Sequence, residues 1–258
     1  MHSKPSQNAV FRAALQLREA GRLYDLTDTD SDDVFRGSID RFCLIVHELR
    51  NCRKVLDIGP GAGILSSLLH ELGHECYAVD IVDRREQFPT AFAKLEDFKI
   101  CNVEVDLLPW SDGFFDAVVC CQALEHFSHS HLPAVKEMYR VLKPGGILEL
   151  DVPNVACFRN RSRLLRGKHI TYDYEKHYLY AEPILYKGRS FFPDRHNREF
   201  TKKELKILFD AAGFKKQQVS FLKSRRYRTG FERIKSIGTV LRDAIPSFRK
   251  SLIGFGIK

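Results

Sequence analysis

The stretch Lys54-Val55-Leu56-Asp57-Ile58-Gly59-Pro60-Gly61-Ala62-Gly63 constrains this chain most, because an apolar run there meets three glycines spaced two apart. Val55, Leu56 and Ile58 suit a strand of a parallel sheet, which is covered on both faces. The glycines let the backbone turn sharply and approach whatever lies above it. Ile64-Leu65-Ser66-Ser67-Leu68-Leu69 then reads as a helix whose free N–H groups point at the same spot. Strand, turn and helix together make a cradle for a ligand. A dinucleotide fingerprint requires Gly-x-Gly-x-x-Gly, whereas position 64 is Ile and the third glycine falls at 63. That spacing argues against a nicotinamide-dependent oxidoreductase.

Further strands follow in order. Glu75-Cys76-Tyr77-Ala78-Val79-Asp80 ends in a carboxylate 23 residues after Asp57, and a carboxylate there accepts from two adjacent ribose hydroxyls. Val103 to Trp110 reads as a third strand that ends with Asp106, and Phe115 to Cys121 as a fourth. Val141-Leu142-Lys143-Pro144-Gly145-Gly146 reads as a helix stop and turn before a fifth. Each of Asp57, Asp80 and Asp106 taken alone is explained equally well as a strand-end or helix-cap carboxylate. Asp116 and Pro144 need only structural roles, a turn before a strand and a helix terminator.

Asp57-x-Gly59-x-Gly61-x-Gly63, followed in order by Asp80, Asp106 and the two later strands, resembles the motif series of the class I S-adenosylmethionine-dependent methyltransferases. The resemblance covers about residues 50–152, with a looser part at 196–214. It implies an α/β, Rossmann-like doubly wound fold: a mostly parallel seven-stranded sheet, helices on both faces, a lid after the fifth strand and a basic C-terminal helix. It implies S-adenosyl-L-methionine as cofactor, held by Asp57, Gly59, Gly61, Gly63, Asp80, Ile81, Asp106, Leu107 and Cys121, with Asp106 accepting from the adenine amino group. Expected units are an N-terminal cap over 1–50, a methyltransferase domain over 51–222 with a lid at about 155–199, and a basic tail over 223–258.

A chain of 258 residues, 44% apolar and 29% charged, can bury a full core in one domain. The first residues lack a cationic start followed by an apolar stretch, and no run is long enough to span a bilayer, so a cytoplasmic address is expected. The seven cysteines form no Cys-x-x-Cys pair, which suggests neither zinc nor disulfides. Net charge is +8, yet residues 215–258 alone carry +10, leaving −2 for the rest. Residues 8–20 read as an amphipathic helix, Asp25 to Asp33 as a solvated acidic loop, and about 38–50 as a second helix. Thr201 opens a capping box with Glu204 before a helix that stops at Gly213.

About 45 residues lie between Asn154 and Thr201, more than a plain crossover needs. They begin with Arg159, Arg161, Arg163, Arg166 and Lys168 and continue with Tyr172, Tyr174, Tyr178, Tyr180, Tyr186, Phe191 and Phe192. Rings and arginines suit either an acceptor or plain packing of the lid. Methyl transfer needs a positioned nucleophile and a base. His126, polarised by Glu125 just past the fourth strand, is the expected base, with His196 either facing the same site or tying the lid to the following helix. The pieces Gln122-x-x-Glu125-His126, Pro153-Asn154 and His196-x-x-x-Phe200-Thr201 are similar to parts of quinone-biosynthesis O-methyltransferases and small-RNA 2′-O-methyltransferases, some of which hold a divalent ion. Gln122 stands where that ion's first carboxylate would be, so no metal is expected here.

The expected function is O-methylation of a small metabolite, lipid-linked or glycan intermediate. The alternatives are a non-catalytic S-adenosylmethionine-binding regulator and a metal-assisted RNA 2′-O-methyltransferase; nucleic acid is otherwise not expected as a partner. Phe231, Ile234, Ile237, Leu241 and Ile245 at helical spacing, beside Arg233, Lys235 and Arg242, suit packing on the domain or peripheral contact with an anionic membrane.

Overall fold

The computed structural model describes residues 6–171, 173–223, 226–227 and 242–258. The apolar run before the glycines is the central strand β1 (Lys54–Ile58), paired in parallel with β2 (Glu75–Asp80) on one side and β4 (Phe115–Cys121) on the other. β3 (Asp97–Ile100) lies outside β2, and β5 (Leu142–Pro153) lies beside β4, both parallel. β8 (Lys216–Leu222) and β9 (Ser251–Ile257) complete a seven-stranded sheet of order β3-β2-β1-β4-β5-β9-β8, in which β9 runs antiparallel to both neighbours. From β1 the chain winds first toward β2 and later toward β4. That reversal opens a crevice at the carboxyl ends of the parallel strands.

Alternation along each strand divides the core in two. Leu56, Ile58, Val118, Leu148 and Leu150 face α5 (His131–Val141) and α7 (Lys202–Ala212). Val55, Ala117 and Val119 face α1 (Gln7–Glu19), α2 (Thr29–Glu48) and α3 (Ile64–Glu71). The helix α7 begins with the expected capping box, Thr201 accepting from the Glu204 amide and Glu204 returning to the Thr201 amide, and ends at left-handed Gly213. All seven cysteines are free thiols.

Several expectations are corrected. The acidic stretch is no loop from Asp28 onward: Asp28 accepts from the Asp30 and Ser31 amides and starts α2 nine residues ahead of the expected helix. Carboxylates at a helix N-terminus favour this arrangement. The third strand is Asp97–Ile100, ahead of the expected run. Pro144 lies inside β5. Of Phe248, Leu252, Ile253, Phe255 and Ile257, for which the sequence leaves open an extension of the tail contact or a last sheet strand, all but Phe248 lie in the mostly buried strand Ser251–Ile257, while the amphipathic helix expected at 229–245 lies mostly outside the described residues. The segment between β5 and α7, the expected lid, contains α6 (Phe158–Leu165) and a hairpin of β6 (Ile184–Tyr186) and β7 (Arg189–Phe191) turning on Lys187-Gly188, both at positive φ. Among the described residues, no helix is long and apolar enough to cross a membrane.

In β9, a Cβ at Gly254 would sit 2.6 Å from the buried Phe209 ring. Gly254→Ala is therefore expected to cost about 1–3 kcal/mol in urea unfolding; a loss near zero would show that this layer tolerates extra volume.

Candidate active site

A cavity of about 1040 Å³ opens at the carboxyl edge of the sheet, between the turn after β1 and residues 176–195. Its floor includes Gly59 and Gly61, its walls Asp80, Ile81, Arg84, Asn102, Gln122 and Ala123, and its cover His126, Lys176, His177, Tyr180, Phe192 and Arg195. Two of the motif glycines have separate reasons. Gly61 holds φ +56, and a Cβ there would meet no atom within 4 Å, so its backbone borders open space. Gly63 holds φ +69, and a Cβ would fall 2.9 Å from Ala91 Cβ; the turn packs against α4 (Pro89–Phe92).

Asp57 lies beneath this turn and does not line the cavity. It is 3% exposed and accepts from Ser66 Oγ at 2.6 Å. Burial pushes its carboxyl up to about 7, against the opposing pull of that hydrogen bond. Asp80 closes β2 and does line the cavity; one oxygen accepts from the Val82 amide at 3.1 Å, and the Arg84 Nε lies 4.0 Å from the other. Burial raises its pKa above the ordinary carboxylate value.

The end of β3 differs from the expectation. Because the strand stops at Ile100, it is Asn102 and Glu104 that border the cavity. Asp106 lies beyond the cavity wall, bound by the Tyr186 hydroxyl and by Lys187 Nζ at 2.7 Å, and Leu107 is 77% exposed. Asn102 Oδ1 accepts from the Glu104 amide, while Nδ2 is buried with no hydrogen-bond partner among the described residues. Glu104 in turn accepts from the Ser128 and His129 amides, fixing the loop after β4. Asn102 had a usable signal in sequence, the apolar Phe98 and Ile100 that end before it.

Past β4, Cys121 lies outside the cavity lining, and Gln122 takes its place there in a left-handed conformation with φ +54. The Gln122 amide nitrogen donates to Asp151 Oδ1, its backbone N–H donates to the Asp151 carbonyl at 2.9 Å, and Arg41 of α2 pairs with Asp151 at 2.5 Å. Arg41 carries no local motif, and sequence reading missed it.

Glu125, His126 and His196 converge, with one potential ligand atom from each lying within 4.8 Å of the others. The two imidazole rings are 4.9 Å apart at 84°. His126 Nδ1 lies 3.1 Å from the Arg195 carbonyl, and burial, with the neighbouring His196, lowers its pKa to about 4. Glu125 is 1% exposed, with Oε2 unpartnered, and burial raises its carboxyl to about 8. Of the three, only His126 lines the cavity itself. Arg195 stacks over Phe192 at 3.9 Å, presenting cation and ring together at the cover.

A family model described as "Methyltransferase domain" matches residues 29–219. The mouse mitochondrial ubiquinone biosynthesis O-methyltransferase is 33% identical over 108 residues, covering 39% of this chain and 29% of that protein. The ubiquinone biosynthesis O-methyltransferase of Xanthomonas campestris (strain B100) is 35% identical over 106 residues, covering 39% and 43%. The chain thus spans less than half the length of these curated relatives. In fold it is similar to a Thermotoga maritima S-adenosylmethionine-dependent methyltransferase described as a possible histamine N-methyltransferase, at TM-score 0.55 and 19% identity over 96% of this chain and 98% of that one. It is likewise similar to the 1,6-didemethyltoxoflavin-N1-methyltransferase of Burkholderia thailandensis, at TM-score 0.52 and 19% identity over 100% and 93%.

Asp57 gives the site a pH signature. Its folded pKa of about 7 stands above the ordinary 3.8, so the folded state keeps a proton that the unfolded state releases. This contribution to stability is complete at low pH and is lost as pH rises through that window, on the order of 4 kcal/mol in all. Ligand-free Asp57→Asn is expected to lack that loss in denaturation series across pH; parallel profiles for parent and variant would remove the assignment.

Proposed function

The chain belongs to the methyltransferase-domain family, and from that membership and the cavity we propose that it moves a methyl group from S-adenosylmethionine to an oxygen of a small or lipid-linked acceptor. The observation that carries this reading is the pair Asp80 and Asn102, at the ends of neighbouring strands beside the glycine turn and bordering one cavity. S-adenosylmethionine suits these residues. Asp80 has acceptor capacity for two ribose hydroxyls, the unpartnered Asn102 Nδ2 is a donor for a base ring nitrogen, and the space over Gly61 admits the amino-acid end. When bound, the cofactor supplies an electrophilic methyl on a sulfonium whose leaving group is neutral.

The protein's task is then alignment and proton removal. His126 projects into the cavity with its Nδ1 committed to the Arg195 carbonyl, leaving Nε2 for the acceptor hydroxyl. Burial favours the neutral imidazole, which can receive the proton. Phe192, Tyr180 and Arg195 in the cover suit an acceptor with a ring and a negative or polar substituent. The work is assigned to the cytoplasm, with the membrane met only peripherally.

A second reading rests on the convergence of Glu125, His126 and His196, a donor set suited to a divalent cation that would orient the acceptor oxygens. Gln122 adds no ligand to it through its amide nitrogen, which is spent on Asp151. Titration of manganese or zinc into the protein and into Glu125→Gln decides: a saturable heat lost in the variant supports the cation.

Asp80→Ala is expected to weaken S-adenosylhomocysteine binding by about 100-fold in calorimetry, two charge-assisted hydrogen bonds being removed. His126→Ala is expected to leave that binding within a few-fold and to lower turnover about 100-fold, measured as transfer of labelled methyl to a cell extract. Unchanged binding in Asp80→Ala sinks the cofactor assignment. A labelled product formed equally well by His126→Ala sinks the base.

A further inference from the structure

Helix α6 opens four residues after β5 ends, at the sheet edge that carries the cavity. Residues 155–171 hold Arg159, Arg161, Arg163, Arg166 and Lys168 and no Asp or Glu. Asn160 is the buried residue of α6, its amide donating to the Val155 carbonyl and to Glu199, and this turns the opposite side of the helix outward. Phe158 and Leu165, seven apart and therefore on one side, are 48% and 88% exposed; Leu164 beside them is 60% exposed. Around the helix Arg161 lies between Leu164 and Leu165, and Arg166 follows at its end; both are exposed, and among the described residues neither meets a carboxylate in an ion pair, nor does Lys168.

The Phe158 ring packs on Phe248 at 5.4 Å, Arg161 lies over the same Phe248 ring at 5.3 Å, and the Arg166 Nε donates back to the Ser162 carbonyl. Exposed aliphatic side chains thus lie beside three exposed cations, Arg161, Arg166 and Lys168, and that combination fits an interface where hydrocarbon lies beneath anionic headgroups. Single-stranded nucleic acid matches the charge, but its bases require flat rings, and the centre of the strip is Leu164 and Leu165.

We propose that this face of α6 seats the protein on an anionic phospholipid bilayer. The inference deepens the proposed function by naming the side from which a lipid-linked acceptor arrives: Lys176, His177 and Tyr180 of the cavity cover follow the end of α6 by 11 to 15 residues in sequence. It also moves the membrane contact from the expected helix at 229–245 to the lid.

Flotation of the full chain with phosphatidylcholine vesicles, with and without about one-third phosphatidylglycerol, tests it. Expected are flotation only with the anionic vesicles, weakened by high salt, and losses of about tenfold or more in both Leu165→Asp and the pair Arg161→Glu/Arg166→Glu. Thermal melting and calorimetry with S-adenosylhomocysteine stay unchanged in those variants, which separates failure of docking from failure of the cofactor reading. Vesicle binding that survives both variants overturns the proposal. So does binding that is lost only in Arg233→Glu/Lys235→Glu, or retention of single-stranded RNA that needs Arg161 and Arg166 but not Leu165.

Discussion

The ion pair between Arg41 and Asp151 is the interaction on which the architecture of the site depends. Asp57, Val119 and Glu149 stand in one register line across β1, β4 and β5, and Cys121 and Asp151 stand in the next. Three buried acids therefore share the face covered by α2, with one guanidinium among them. A single cation cannot hold every carboxylate ionised in so apolar a setting. It pairs with Asp151, and burial next to that charge drives Glu149, whose oxygens have no partner, far toward its neutral form. Asp151 also anchors Gln122, so the pair reaches from an N-terminal helix through the sheet to the cavity wall. The strained backbone at Gln122 is held there by two hydrogen bonds to one residue.

Cofactor-side features were legible where chemistry and local geometry coincide. The strand–glycine–helix unit at 54–69, the carboxylate at Asp80 and the capping box at Thr201 depend on neighbours within a few positions, and each lies where its pattern points. The end of β3 was misread because Val103, Val105 and Leu107 alternate as a strand does, although residues 103–105 turn. That shift of a few residues puts Asn102, and not Asp106, on the cavity lining. Arg41 could not be found locally at all: its partner lies 110 positions away and is defined only by the stacking of α2 on β5. The acidic run, read as a solvated loop, instead supplies Asp28 as the acceptor that the first amides of α2 require.

Asp106 turns out to be a latch. The Tyr186 hydroxyl and Lys187 Nζ, from the tip of the β6–β7 hairpin, both reach it. The side chain is partly exposed, so the ion pair is screened and modest, yet it joins the lid to the loop after β3. Together with Glu104, which binds the loop after β4, it surrounds the cavity with polar ties drawn from three separate segments.

The position of β9 bears on how the molecule is made. This strand is the latest of the seven in sequence, yet it fills the slot between β5 and β8. On the ribosome, β1 to β5 emerge well before the partner that covers the open side of β5, and until residue 257 is released that backbone edge stays unpaired. The nascent protein therefore passes through a stage with an adhesive margin, closed only by a contact between segments about a hundred positions apart.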